Sequence, residues 1–74
     1  MVDVYFRYID GNEILCKAIN RIEVPSNSGG YAQISSDQLL SQNIIFYDMI
    51  HLHSDVSNYS VSCRGILYFE IRKS

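Results

Sequence analysis

Two runs of alternating apolar and polar residues fill the first third of the chain, residues 2–24, and meet at Asp10-Gly11-Asn12. Successive side chains of a β-strand point to opposite faces, so this pattern predicts two strands that each have one apolar face. The apolar positions are Val4, Phe6 and Tyr8 on the first strand, and Ile14, Cys16, Ala18, Ile22 and Val24 on the second. We therefore expect a long β-hairpin, with the remaining segments packed against it.

The hairpin loop must set a register in which both apolar sets share one face, because a shift of one residue would expose half of them. A three-residue loop, residues 10–12, places Phe6 opposite Cys16 and keeps the faces together. A two-residue Asp-Gly turn is the more common hairpin signal, but it would mix the faces. We predict the three-residue loop, with Asn12 or Gly11 in the left-handed conformation.

Size and composition predict one small folded domain, residues 1–74. The chain is 47% hydrophobic and 19% charged, with six tyrosines and three phenylalanines, which is too apolar for a disordered segment. A domain this small buries a limited core and leaves strand edges unpaired. Pairing of copies can complete such a structure, so we expect a homodimer or a higher oligomer.

The charge balance and the absence of targeting signals define the expected environment. Six Lys/Arg against eight Asp/Glu give a net charge of −2, which disfavours double-stranded nucleic acid as a partner. No basic segment followed by an apolar run marks a signal peptide, and the most apolar stretch, residues 44–52, contains Asp48 and His51. We expect a cytoplasmic protein that does not span a membrane.

Cys16 and Cys63 are the only cysteines, and each falls on the apolar side of a predicted strand. The pattern favours two buried free thiols in a reducing compartment, with a disulfide as the alternative if both reach one core. Neither cysteine has a neighbouring base, and no pair of carboxylates suggests an acid and a base. We predict no catalytic residue, no cofactor and no enzymatic activity.

The middle of the chain begins with a loop. Residues 25–30 combine one proline with serine, asparagine and glycine, which is typical of a connector and lacks the lysine of a phosphate-binding loop. A short strand is expected over residues 31–34.

One short helix is predicted near residues 36–42. Ser35 has the character of an N-cap, and Gln38 lies three residues later in the capping-box position. Asn43 is suited to the left-handed conformation that ends many helices.

Residues 44–53 have the composition of a strand with two partly apolar faces. One face carries Ile44, Phe46, Ile50 and Leu52. A strand of this kind is either central or lies at a subunit contact. We therefore predict an interface on the other face, formed by Ile45, Tyr47, Met49 and His51.

The last strand region covers residues 59–72, with a bend or bulge at Gly65. Together these segments predict an all-β or β-dominated α+β fold, with about five antiparallel strands in a curved sheet or small open barrel and one short helix. The expected core comprises Val4, Phe6, Tyr8, Ile14, Cys16, Ala18, Ile22, Leu39, Phe46, Ile50, Leu52, Val61, Cys63, Leu67, Phe69 and Ile71.

The segment His51-Leu52-His53-Ser54-Asp55 is the strongest candidate for metal chemistry. Two histidines at this spacing share one face of a strand, and Asp55 adds an oxygen ligand. These five residues resemble the His-x-His-x-Asp start of metallo-β-lactamase-like hydrolases, and the resemblance implies a metal-dependent hydrolase. Val56 stands where that motif has a further metal-binding histidine. Surface or interface histidines are the alternative interpretation.

The outer face of the hairpin is the candidate ligand site. Tyr5, Arg7, Lys17 and Arg21 alternate to the same side, which groups cations beside an aromatic ring. Guanidinium groups bind phosphate in a bidentate manner and tyrosine stacks on a base, so this face suits a nucleotide or another phosphorylated metabolite. A solvated face with cross-strand ion pairs is the alternative.

These observations favour a small non-catalytic binding or inhibitory module that acts by protein–protein contact. Small virus- or plasmid-encoded inhibitors of host enzymes share this size and composition, although this is an association and not a motif. The alternative is an oligomeric binder that captures a nucleotide or phosphorylated metabolite. A metal-dependent hydrolase and a binder of single-stranded nucleic acid are further hypotheses.

Overall fold

The fold is β-dominated, as predicted, and consists of two antiparallel sheets with one short helix. The computed structural model describes all residues, 1–74. Its elements are β1 (Val2–Tyr8), β2 (Glu13–Ile19), β3 (Arg21–Pro25), β4 (Tyr31–Ser35), α1 (Ser36–Ser41), β5 (Met49–His53), β6 (Asn58–Ser62) and β7 (Ile66–Lys73). The seven strands arise because the long hairpin and the last strand region are each divided between the sheets.

One sheet has three strands in the order β2-β1-β7, and the other has four in the order β4-β3-β5-β6. The chain passes from the first sheet to the second at Asn20 and returns through residues 63–65. Gly65 adopts φ +78° at this return, so the predicted bend is confirmed and marks a change of sheet. Helix α1 contacts β4 and β7 and inserts Leu39 into the core.

The β1–β2 hairpin has the predicted loop length but a different register. Phe6 lies opposite Ile14 and not opposite Cys16, because the loop comprises residues 9–11. The Tyr8 N–H donates to the Asn12 carbonyl oxygen at 2.9 Å, and Gly11 takes the left-handed conformation with φ +93°. The register error was two residues, and a shift of two leaves the side chains of β2 up to Cys16 on their predicted faces.

A β-bulge in β2 shifts the alternation of faces after Cys16. Lys17 and Ala18 together lie opposite Asp3, because Val2 pairs with Ile19 while Val4 pairs with Cys16. Ala18 has φ +57°, and its N–H donates to Asp3 Oδ1 at 2.9 Å. The bulge turns the next side chain inward, so Ile19 is buried and Ala18 is only half-buried.

Both sheets and α1 contribute to the core. Nine predicted core residues are buried: Val4, Phe6, Cys16, Ile22, Leu39, Ile50, Leu52, Val61 and Cys63. Val2 and Ile19 are also buried and were missed: Ile19 turns inward because of the bulge, whereas Val2 continues the alternation of Val4 and Phe6. The predictions for Ile14 and Leu67 were wrong, since their exposed fractions are 36% and 62%. The interruption of β1–β7 pairing between Arg7 and Tyr8 falls beside Leu67.

The strand predicted over residues 44–53 begins only at Met49. Asp48 adopts φ +57°, which ends the extended conformation, and its carbonyl oxygen accepts the Cys63 N–H at 2.8 Å. The preceding irregular segment still packs inward, because the Phe46 ring lies 4.5 Å from that of Phe69.

The helix N-terminus follows the prediction. Ser35 is the N-cap, its hydroxyl oxygen accepts the Gln38 N–H at 3.3 Å, and the Gln38 side chain accepts the Ser35 N–H at 3.0 Å. The helix C-terminus differs from the prediction. Gln42 is the C-cap with an extended backbone, φ −128°, and Asn43 is not left-handed.

Replacing Asp3 with alanine is expected to lower the free energy of unfolding by about 1–2 kcal/mol, because the half-buried Ala18 N–H would lose its acceptor. Asp3→Asn is the matched control, since its side-chain oxygen can still accept this bond. Urea unfolding of both variants tests the expectation. Equal stability of the two variants would show that the bulge does not depend on this hydrogen bond.

Candidate functional site

Four side chains form a continuous patch on the outer side of the four-stranded sheet, and we call it the aromatic face: Tyr31, Tyr47, Met49 and His51. The Tyr31 and His51 rings meet edge to face across β3, with centroids 5.0 Å apart. The Tyr47 hydroxyl donates to the Pro25 carbonyl oxygen at 3.1 Å, and Pro25 lies opposite Tyr31. Met49 points to the same side as His51, two residues along β5.

The aromatic face is accessible. Tyr31, Tyr47 and Met49 are 48%, 43% and 41% exposed, and Ile45, in the segment before β5, is 84% exposed. His51 is half-buried. Sequence reasoning selected this set except for Tyr31, which belongs to another hairpin. Tyr31 and His51 meet because β4 and β5 both pair with β3. This strand order cannot be predicted from the alternation of apolar and polar residues within each strand.

The two histidines of β5 are engaged in separate hydrogen bonds. His51 Nδ1 lies 2.8 Å from Ser60 Oγ. His53 Nδ1 lies 2.6 Å from Asn58 Oδ1, and its Nε2 contacts the Glu23 carboxylate. These contacts hold the imidazole of His53 between β3 and β6, where it is half-buried. The histidines therefore help to orient the strands of this sheet.

Asp55, the third metal-ligand candidate, faces another partner. Its carboxylate accepts a hydrogen bond from Asn20 Nδ2 at 2.8 Å, at the point where the chain changes sheet. No group of three or more His, Cys, Asp or Glu side chains lies close enough to hold a metal ion, so His51, His53 and Asp55 are not brought together as a ligand set.

The predicted phosphate-binding set is divided between the two sheets. Tyr5 and Arg7 lie on β1 and Lys17 on β2, on the outer side of the three-stranded sheet. Arg21 lies on β3 of the other sheet, opposite Ser35. The bulge and the corner at Asn20 cause this separation, because they end the hairpin before Arg21.

Tyr5 is surrounded by partners from neighbouring strands. Its hydroxyl donates to the Glu13 carboxylate, and its ring lies 5.9 Å from that of Tyr68. The Arg72 guanidinium lies over the Tyr5 ring at 5.4 Å and also donates to Glu70. The hydrogen bond to Glu13 raises the pKa of Tyr5 to about 12. Arg72 and Glu13 were not among the predicted residues, and cross-strand pairing places them here.

Both thiols are free, buried and poorly suited to nucleophilic chemistry. Burial raises the pKa of Cys16 from 9.0 to about 11. Burial, reinforced by the charge of Asp48, does the same to Cys63. A nucleophilic cysteine needs the opposite shift, since the thiolate is the reactive form.

The candidate surfaces are open sheet faces, because no pocket is present in the structure. No helix has the length and apolar character needed to cross a membrane. The chain matches no protein-family model, no curated protein and no solved structure. The two outer sheet faces are therefore the candidate functional surfaces.

The raised pKa values predict slow reaction of Cys16 and Cys63 with a disulfide reagent in the folded protein. A shift from 9.0 to about 11 lowers the thiolate fraction near neutral pH about a hundredfold. Comparing the reaction rate in buffer with that in urea measures this protection. Fast labelling of the folded protein would contradict the burial of the thiols.

The same shifts set a pH dependence of stability. Below about pH 9 both states keep the thiol protons, whereas between about 9 and 11 only the unfolded chain loses them. The contribution of the thiols to stability therefore falls across this range. A Cys16→Ala variant should lose part of this alkaline slope in urea unfolding.

Proposed function

We propose that this chain is a small non-catalytic binding module that acts by protein–protein contact through the aromatic face. The observation that carries the proposal is the grouping of Tyr31, Tyr47 and Met49, all more than 40% exposed, around His51 on one side of a sheet. Tyrosine and methionine are enriched at protein interfaces because they supply large contact areas, and the tyrosine hydroxyl also forms hydrogen bonds.

The shape of this face also favours a macromolecular partner. A small molecule is normally held in a concave site that removes most of its surface from water, whereas an open sheet face is suited to another protein surface. The Glu23 carboxylate lies on β3, the strand between Tyr31 and His51, and it already contacts His53 Nε2.

Inhibition of an enzyme is the form of action that we propose for this module. The chain would cover a functional surface of a cytoplasmic enzyme and would contribute no reactive group of its own. The raised pKa values of Cys16 and Cys63 support a role without covalent chemistry. A viral or plasmid origin is part of this hypothesis and rests on size and composition alone.

An aspartate at Ile45 is expected to abolish partner binding, because a charge beside the aromatic face would have to be desolvated in the complex. Val56→Asp is the matched control: Val56 is 92% exposed and Ile45 84%, so neither change should alter folding. Proteins captured from a lysate by wild type and Val56→Asp, but not by Ile45→Asp, are the specific partners. If the candidate is an enzyme, its activity should fall on addition of wild type or Val56→Asp, but not of Ile45→Asp.

Capture of the same proteins by all three variants would contradict a role for the aromatic face. Circular dichroism and thermal melts of each variant establish that differences in capture do not come from unfolding.

A second proposal, capture of a phosphorylated ligand, is supported by the position of Arg72. Its guanidinium joins Arg7 and Lys17 on the outer side of the three-stranded sheet and lies over the Tyr5 ring. The pairing of Tyr5 with Glu13 and of Arg72 with Glu70 weighs against it, because both contacts occupy groups that the ligand would need.

With ATP as the probe, this second proposal predicts a rise in the melting temperature of the wild-type protein, which Arg7→Glu should abolish. Arg21→Glu is the matched control, because Arg21 lies in the other sheet and the rise should persist. No effect of ATP on wild type would remove the proposal. An equal loss in both variants would indicate a general effect of net charge.

A further inference from the structure

Four strands have one unpaired edge, and three of these edges are blocked or charged. The edge of β2 carries Glu13 and Lys17 and is distorted by the bulge at Ala18. On β6, the carbonyl oxygen of Ser62 accepts a hydrogen bond of 2.6 Å from the Tyr8 hydroxyl. Charges and bulges at an edge discourage the addition of another strand, and so does occupation of its polar groups.

The edge of β7 is also protected. This strand contains Glu70, Arg72 and Lys73, and helix α1 packs beside it. Charged edge residues must be desolvated or matched when another strand is added, which lowers the tendency to pair.

The edge of β4 lacks the charges, the bulge and the occupied carbonyl oxygen found at the other edges, although helix α1 contacts this strand as well as β7. Its five residues, Tyr31–Ser35, include no charge and no proline, and their pairing with β3 runs without a bulge. All except Ile34 are exposed, and Tyr31 belongs to the aromatic face. β4 is therefore the edge at which an added strand meets the least resistance.

The hydrogen-bonding pattern shows which groups of β4 are unpaired. The Ser36 N–H donates to the Asn20 carbonyl oxygen at 3.0 Å, and the Ser26 N–H donates to the Gly30 carbonyl oxygen at 3.0 Å. Bonded and non-bonded pairs alternate in an antiparallel ladder, so the even-numbered residues of β4 bond to β3. The peptide groups of the odd-numbered residues then point to the free edge: Tyr31, Gln33 and Ser35.

Ser35 is not available for a further strand, because its N–H already donates to Gln38 Oε1 in the capping box. Tyr31 and Gln33 remain, each with a free N–H and a free carbonyl oxygen at the edge. The free edge therefore offers two donors and two acceptors within three residues.

We propose that β4 pairs antiparallel with β4 of a second copy of this chain, with Ala32 at the two-fold axis. Tyr31 then lies opposite Gln33 of the second copy, and the two symmetric pairs form four backbone hydrogen bonds from the free groups alone. A register centred on Gln33 would place Tyr31 opposite Ser35 of the second copy, whose N–H is already used. The helix cap thus excludes the register centred on Gln33.

This register suits self-association for two further reasons. Ala32 is small where the two strands approach on the axis, and no charged side chain lies opposite another. Pairing also joins the two four-stranded sheets, so the aromatic faces of both copies lie on one continuous surface. The inference deepens the proposed function by naming a second copy as one partner, whereas an enzyme partner would bind the aromatic face.

Native mass spectrometry and light scattering over a concentration series test the dimer. Wild type is expected to dimerise reversibly, and Gln33→Pro is expected to weaken the dimer about tenfold or more, because it removes a donor from each pair. Proline is tolerated at this position because the lost N–H does not bond within the sheet. Gln33→Ala keeps the N–H and should dimerise like wild type.

A monomeric wild type would overturn the inference, and so would an unchanged dimer of Gln33→Pro. If that variant fails to fold, amide exchange of wild type replaces it: the Tyr31 and Gln33 amides should be protected only at concentrations where the dimer forms. Their exchange at full rate in the dimer would place the contact elsewhere. Ile45→Asp separates the two proposals, because it should lose the enzyme partner and keep the dimer.

Discussion

The hydrogen bond from the Ala18 N–H to the Asp3 carboxylate determines how the first half of the chain is organised. It holds Ala18 in a left-handed conformation that is unfavourable for any residue with a Cβ, and this adds one residue to β2 opposite a single residue of β1. The next side chain, Ile19, then turns into the core beside Val2. Without the bulge, the buried face would carry Ala18, which offers much less apolar area.

The corner at Asn20 follows directly from this bulge. The Asn20 backbone bonds to two elements, because its N–H donates to the His53 carbonyl oxygen of β5 and its own carbonyl oxygen accepts the Ser36 N–H of α1. Its side chain donates to Asp55. A residue with so many polar contacts cannot enter the core, so the chain leaves the three-stranded sheet here, and Ile22 begins the apolar side of the second sheet. One polar residue that interrupts the alternation of the sequence therefore marks the boundary between the sheets.

Structural features that depend on residues close in sequence were predicted correctly. The incorrect predictions concern features that depend on contacts between distant parts of the chain. The capping box at Ser35 and the glycine of the first hairpin depend on residues close in sequence, and both are present. The left-handed conformation of Ala18 is not signalled by its residue type, and that of Asp48 falls inside a predicted strand; tertiary hydrogen bonds hold both. In the candidate sites, the separation of Arg21 from Tyr5 and the approach of Tyr31 to His51 both depend on strand order, which alternation does not encode.

The outer faces of the two sheets differ in how many of their side chains already have a hydrogen-bond or ring partner. On the three-stranded sheet, Tyr5, Glu13 and Arg72 are paired by hydrogen bonding or ring contact, so a ligand would have to replace existing interactions. On the four-stranded sheet, the Tyr31 and His51 rings contact each other, but Tyr31, Tyr47 and Met49 leave large apolar areas in water. Covering those areas gains hydrophobic free energy without breaking an ion pair. Because the edge of β4 borders the same face, a strand added there would extend the aromatic face itself, so the two proposed contacts involve the same end of the molecule.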